Sequence, residues 1–222
     1  MPAPFYSQAH SCFAPCQDLA LLITPFLQIS DADASHDFSH IVRVWKNAYT
    51  IQRAEGGDLH IILAAVLLHD CVPVQKHTSM RKQASRLAAQ KAAQCLKQLG
   101  WEESCIQSII HAIEAHSFSA QIQPQTLEAQ IVQDADRLDA LGAVGIGRCF
   151  CTAGEMGSKL YDLSDPDASG RSLDDRRFAL DHFELKLLKL SRNFQTHTGR
   201  MMAQHRHQYM KDFLHQFLAE IK

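Results

Sequence analysis

The sequence predicts an all-α fold. Three observations carry that prediction. Gly and Pro are scarce, at 10 and 7 of 222 residues. No strand-like alternation of apolar and polar residues persists along the chain. Helix-starting and helix-stopping residues bracket one apolar stretch after another. A turn-rich β-sandwich would use more Gly and Pro. With 46% hydrophobic residues the chain is no disordered polymer. A chain of this length buries about 70–75% of the surface its unfolded form exposes.

The elements follow in order. Cys16 to Ile29 reads as a short helix, bent or broken near Pro25. Ser35 precedes a longer helix, about His36 to Glu55, which ends at Gly56-Gly57. Asp58 is placed to N-cap a helix from about Leu59 to Leu68; its string IILAAVLL is apolar all round and belongs at the centre of the core. Thr78 or Ser79 caps a helix from about Met80 to Leu99, closed by Gly100. Another covers about Glu102 to His116. Thr126 caps Leu127 to Leu141, with Gly142 as the stop. Gly145 to Ser172, rich in Gly, Asp and Ser, reads as a short helix followed by a mobile loop. Asp174 or Asp175 starts a helix to about Leu190, and the last helix runs from about Thr198 to Ile221.

Composition excludes several function classes. A net charge of −2 supplies no basic field for nucleic acid. No apolar run reaches the ~18 residues that span a bilayer. Leu19 to Leu27 is apolar, but no Lys or Arg precedes it, which argues for a helix rather than a signal peptide. The 7 Cys are odd in number and contain no CxxC, so they read as small buried residues in a reducing compartment; a cytoplasmic protein is expected. The 13 His are the unusual count and direct attention to metal ligands.

Three strings stand out: SHDFSHIVRV (Ser35 to Val44), LLHD (Leu67 to Asp70) and QDADRLDALG (Gln133 to Gly142). His36 and His40 are four apart and share a helix face, and Asp37 lies three before His40. His69-Asp70 ends an apolar helix, where charge is costly unless paired or bound to a cation. Asp136 and Asp139 share a face, while Asp134 lies about 200° from Asp136. Two His and two Asp from three helices form a mixed N/O set suited to Mn, Fe, Co, Zn or Mg. Such a set leaves positions open for water and substrate. His36 remains a rival to His40, and Asp134 a rival to Asp136.

The order His, His-Asp, Asp on helices resembles the HD-domain metal-dependent phosphohydrolases. The first His stands in H-x-x-R-V, here His40 to Val44; the doublet is His69-Asp70; the last Asp stands in A-D-R-L, here Ala135 to Leu138. The strings HSFSA (His116 to Ala120), Thr126 to Arg148 and THTGRMMAQHRHQYMKDFL extend the resemblance to a bacterial subgroup of predicted nucleotide phosphohydrolases and pyrophosphohydrolases, over about residues 16 to 222. The resemblance implies an HD-domain helical bundle with additional C-terminal helices. It would be a single domain over residues 1–222, with a core of about 30–145 and an extension of about 146–222.

The same resemblance assigns a divalent metal to His40, His69, Asp70 and Asp136, with Mn favoured over Co, Mg, Zn, Ni or Fe. Lys76 and His77 match a Lys and a His that follow the doublet in the subgroup. A Lys beside the metal suits a phosphate oxygen. Arg43 and Arg137 are further phosphate partners, and Asp37 or His36 an orienter of the His40 ring. Catalytic roles fall to Asp70, Lys76 and His116; His116 serves either as proton donor to the leaving oxygen or as a ligand to a second metal. The implied activity is hydrolysis of a phosphoester or phosphoanhydride in a small substrate, foremost a nucleoside triphosphate cut to monophosphate and pyrophosphate. A nucleotide monophosphatase, a non-catalytic nucleotide-sensing module and a two-iron HD oxygenase using His36, His111 and His116 are the alternatives. No acid follows the doublet closely, so no general base is legible. No nucleic-acid or membrane partner is expected, and a homodimer is compatible with the sequence.

Overall fold

The structure is a computed structural model that describes residues 10–27, 38–72 and 83–222. The described residues form helices joined by turns and loops, and their one β-feature is an isolated bridge between Lys159 and Phe178. In chain order the helices are α1 (Gln17–Ile23), α2 (Phe38–Glu55), α3 (Leu59–Leu68), α4 (Ala84–Gln98), α5 (Glu103–His116), α6 (Leu127–Asp139), α7 (Gly142–Glu155) and α8 (His197–Ile221). Short 3-10 turns cover His10–Phe13, Thr24–Phe26 and Phe118–Ala120, and a π-helical stretch, Phe183–Leu187, runs into Leu188–Leu190. The all-α fold expected from the sequence is the fold observed. Two compact units divide the chain, Met1–Asp136 and Arg137–Lys222.

The first unit is built around α3. Every residue from Ile62 to Leu68 is buried, and α1, α2, α4 and α5 all pack against this helix. A helix apolar all round has no face to give to water, so it becomes the axis of the bundle. Each buried Leu or Ile contributes about 1.5–3 kcal/mol. The helix starts where the sequence places it. Asp58 sits in an extended conformation and accepts from the N–H groups of His60 (2.8 Å) and Ile61 (3.1 Å). Its own N–H donates to Glu128 Oε1 at 2.9 Å, which ties the start of α3 to α6.

The second unit packs α7 against α8. Phe150 meets Phe183, Phe213 and Phe217 at ring-centroid distances of 6.0–6.1 Å.

The structure departs from the expected boundaries here. The segment from Gly145 belongs to a full helix that starts at Gly142, where φ is +70°. Gly145 is required: a Cβ would lie 2.2 Å from the Ala140 carbonyl oxygen, so α7 can begin directly after α6 only with a bare backbone there. The loop that follows folds onto its own acids. Asp162 Oδ1 accepts from Ser164 N (2.9 Å), and Asp165 accepts from Ser169 N (2.9 Å) and Gly170 N (2.8 Å). The helix expected from Asp174 or Asp175 does not start there. Turns flank Phe178, which is buried and bridged to Lys159. Asp181 is also held from behind by Arg171, at 2.5 and 2.8 Å. Thr78 and Ser79, the expected caps of α4, lie outside the described residues.

Candidate metal centre

Four elements deliver the site. His40 is buried in the first turn of α2; His69 is the C-cap of α3, with Asp70 next; His116 is the last residue of α5; Asp136 lies in the last turn of α6. Three helix C-termini thus point their partial negative charge at one place, an arrangement that favours a cation.

The donor atoms face one another. His40 Nε2 is 3.3 Å from His69 Nε2 and 3.5 Å from Asp136 Oδ1, and His69 Nε2 is 3.9 Å from that same oxygen. On the other side of His69, Asp70 Oδ2 lies 3.4 Å from its Nε2, while Asp70 Oδ1 lies 3.8 Å from His116 Nε2. Two overlapping groups result, His40/His69/Asp136 and His69/Asp70/His116, and either could hold a metal ion. Ligands about 2.1 Å from an ion stand about 3–4 Å apart, so these spacings and this N/O chemistry suit a divalent cation. The imidazoles are buried at 1–7% exposure, whereas the side chains of Asp70 and Asp136 are 36% and 28% exposed. The carboxylates therefore line the open side.

His69 and His116 are held by the same device. His69 Nδ1 donates to the Val66 carbonyl at 2.8 Å, and His116 Nδ1 to the Ile113 carbonyl at 2.5 Å. Each acceptor is a carbonyl that the helix end leaves unpaired. A carbonyl only accepts, so Nδ1 carries the proton in both rings, and neutral His presents a lone pair at Nε2. Burial, with His69 next, pushes the His116 imidazole below its ordinary value.

The remaining sequence candidates divide. His36, Asp37, Lys76 and His77 lie outside the described residues. Arg43 sits on α2 near His40 and donates to Ser39 Oγ at 2.6 Å. Arg137 opens the second unit, where its guanidinium donates to the Asn193 carbonyl. Of the three Asp on α6, Asp136 joins a His group among the described residues. Asp134 is buried, and Asp139 pairs with Arg148 at 2.6 Å. His111 Nε2 accepts the N–H of Gln125 at 2.9 Å.

Two buried carboxamides escaped the sequence reading. Asn47 Nδ2 donates to the Ala135 carbonyl at 3.1 Å, and Gln133 Nε2 donates to the Ala115 carbonyl at 2.6 Å. A signal for the first was present: Asn47 falls two turns after His40, among the apolar Val44, Ala48 and Ile51.

The HD-domain family model matches residues 37–141. The Bacillus subtilis protein YpgQ is 34% identical over 197 residues, covering 87% of this chain and 88% of YpgQ. The chain belongs to the HD-domain superfamily. Among solved HD-domain structures, an HD-superfamily hydrolase from Bacillus thuringiensis is 36% identical with a TM-score of 0.71, covering 92% of this chain and 96% of that one. The crystal structure of Bacillus subtilis YpgQ in complex with ADP is 32% identical with a TM-score of 0.67, covering 97% of this chain and 95% of that one. The Bacillus thuringiensis relative is described as an HD-superfamily hydrolase. His69, Asp70, His116 and Asp136 all fall within the matched residues.

Proposed function

We propose that this protein hydrolyses a phosphoanhydride in a nucleotide, with a divalent metal held by His40, His69, Asp70 and Asp136. The observation that carries the reading is the convergence of His40, His69 and Asp136 on one point, with Asp70 and His116 continuing the set. A divalent ion bound there supplies a hydrolytic water of lowered pKa and draws charge from a phosphoryl oxygen. The chain's residues do the rest. His69 arrives with its ring fixed by the Val66 carbonyl. Asp70 spans both His groups, one oxygen toward His69 and the other toward His116. His116, with its Nδ1 proton committed to Ile113, offers a lone pair at Nε2, which favours a ligand or proton acceptor over a proton donor. The exposed carboxylate side admits substrate.

Lys76, His77, Arg43 and Arg137 are the proposed phosphate partners, and manganese is the proposed metal. The ADP complex of the Bacillus subtilis relative supports a nucleotide as ligand. Cleavage of a triphosphate to monophosphate and pyrophosphate is the favoured reaction. The test is hydrolysis by metal-stripped protein given Mn, Co, Mg or Zn, on nucleoside triphosphates and monophosphates, beside Asp70→Ala. Metal-dependent pyrophosphate release, lost in Asp70→Ala, is the expected result. Phosphate release from monophosphates would make it a monophosphatase, and nucleotide binding without turnover would make it a sensing module.

A further inference from the structure

Asn47 and Gln133 are both buried, at 6% and 2% exposure. Asn47 lies seven residues after His40, about 20° off the same face of α2. Its Nδ2 donates to the carbonyl of Ala135, the residue before Asp136. Gln133 lies one turn before Asp136 on α6, and its Nε2 donates to the carbonyl of Ala115, the residue before His116.

Each bond therefore ends on the peptide next to a donor residue, and the two bonds run from α6 to different helices. The same helices bury apolar side chains: Val44, Ala48 and Ile51 on α2, Ile131, Val132 and Ala135 on α6, Ala112 and Ile113 on α5. Apolar contacts tolerate sliding, since burial is non-directional. A hydrogen bond of 2.6–3.1 Å does not. A shift of α6 by a single residue moves it about 1.5 Å. Both buried amides would then lose these acceptors, which a buried donor does only at a cost.

We infer that Asn47 and Gln133 are positioning residues that fix the register of α6 against α2 and α5, so that Asp136 meets His40 while His116 meets Asp70. The assignment rests on the metal-site reading above and adds to it the two residues that set the site's geometry. Polar groups in apolar interfaces serve as register devices elsewhere, as single buried amides do in coiled coils.

The experiment compares Asn47→Leu and Gln133→Met, which keep volume and remove the donor, with wild type and His40→Ala. Mn(II) affinity is measured on stripped protein, the visible spectrum is recorded with Co(II), and thermal melts are taken without metal. The expected result is a Mn(II) affinity weakened roughly 10- to 100-fold, with an altered Co(II) spectrum, in folded protein. Asn47→Gln, which retains an amide donor, should recover part of the affinity. Variants that bind Mn(II) within about two-fold of wild type, with the wild-type Co(II) spectrum, would overturn the positioning role and leave the metal site standing. Wild type that binds no more metal than His40→Ala would overturn the metal reading itself and the positioning role with it. Should the Leu or Met variant lose its helical circular-dichroism signal, Asn47→Ser, small enough to admit water to the Ala135 carbonyl, is read by the same two outcomes.

Discussion

His40 Nε2 stands 3.3 Å from His69 Nε2, and both rings are buried. The His69 Nδ1–H donates to the Val66 carbonyl, so the neutral ring turns its Nε2 lone pair toward His40. Two imidazole nitrogens facing each other beside the Asp136 carboxylate, 3.5 Å away, create a place where positive charge is favoured. A divalent cation would satisfy all three groups at once.

That relationship predicts a metal-linked melting temperature. Stripped protein given Mn(II) at 100 times its dissociation constant should gain about 2.7 kcal/mol, which raises Tm by about 5–10 °C for a chain of this size. His40→Ala should show no such rise. Equal shifts in the two proteins would place the ion elsewhere.

Asp70 predicts a catalytic loss without collapse of the fold. Its side chain is 36% exposed and contacts both His69 and His116. Asp70→Asn keeps the shape and removes the charge. Removing several kcal/mol of charge stabilisation should lower kcat by about 100-fold or more, with Tm in the absence of metal within about 2–4 °C of wild type. Steady-state kinetics and a melt on the same preparation check it; an unchanged kcat would remove Asp70 from the chemistry.

The buried carboxylate of Asp181 predicts a large effect away from the site. Arg171 donates to it at 2.5 and 2.8 Å, and the Asp174 N–H at 2.7 Å. Arg171→Ala leaves the buried Asp181 carboxylate without this cation and should lower stability clearly. The double variant Arg171→Ala/Asp181→Ala should regain part of that loss. Urea denaturation of the four proteins measures the coupling, and strict additivity would show that the pair is not an energetic unit.

Cys149 predicts an alkaline dependence. Its thiol donates to the Ala179 carbonyl at 3.7 Å, and burial pushes it up to about 11. The folded value lies above the value of about 8.5 for an unfolded thiol. The thiol's contribution is therefore complete below about pH 8.5 and is lost as pH rises through 11, where the unfolded chain has already released its proton. Wild type should lose on the order of 2–3 kcal/mol more than Cys149→Ala across that window. The check is the slope of the urea midpoint against pH from 8 to 11 in both proteins; parallel slopes would contradict it.

By itself the sequence determined the helical class, the axis of the first unit and the residue types at its site. Those are local or compositional facts. IILAAVLL cannot face water on any side, Asp58 caps it through its own side chain, and His69-Asp70 follows because the apolar run stops there. His40 and Asp136 were legible through short strings, but their rivals His36 and Asp134 were not dismissed by spacing. For Asp134, helix phase alone left the choice open, and the placement of α6 against α2 is what brings Asp136 to 3.5 Å from His40.

Tertiary structure also decided features that no short string encodes. The Nδ1 bonds of His69 and His116 depend on helices ending where they do, with a carbonyl left for the ring. The amides of Asn47 and Gln133 find their acceptors 88 and 18 residues away. The start of α7 at Gly142 depends on the close approach of Ala140 to Gly145. Where a helix was expected at Asp174 the chain turns instead, with Phe178 buried and bridged to Lys159 and with Arg171 and Arg177 over its ring at 4.6 and 5.0 Å. Periodicity and caps report what a segment prefers alone. Which polar groups meet across helices is fixed by packing, because a buried donor must find its acceptor in the folded chain.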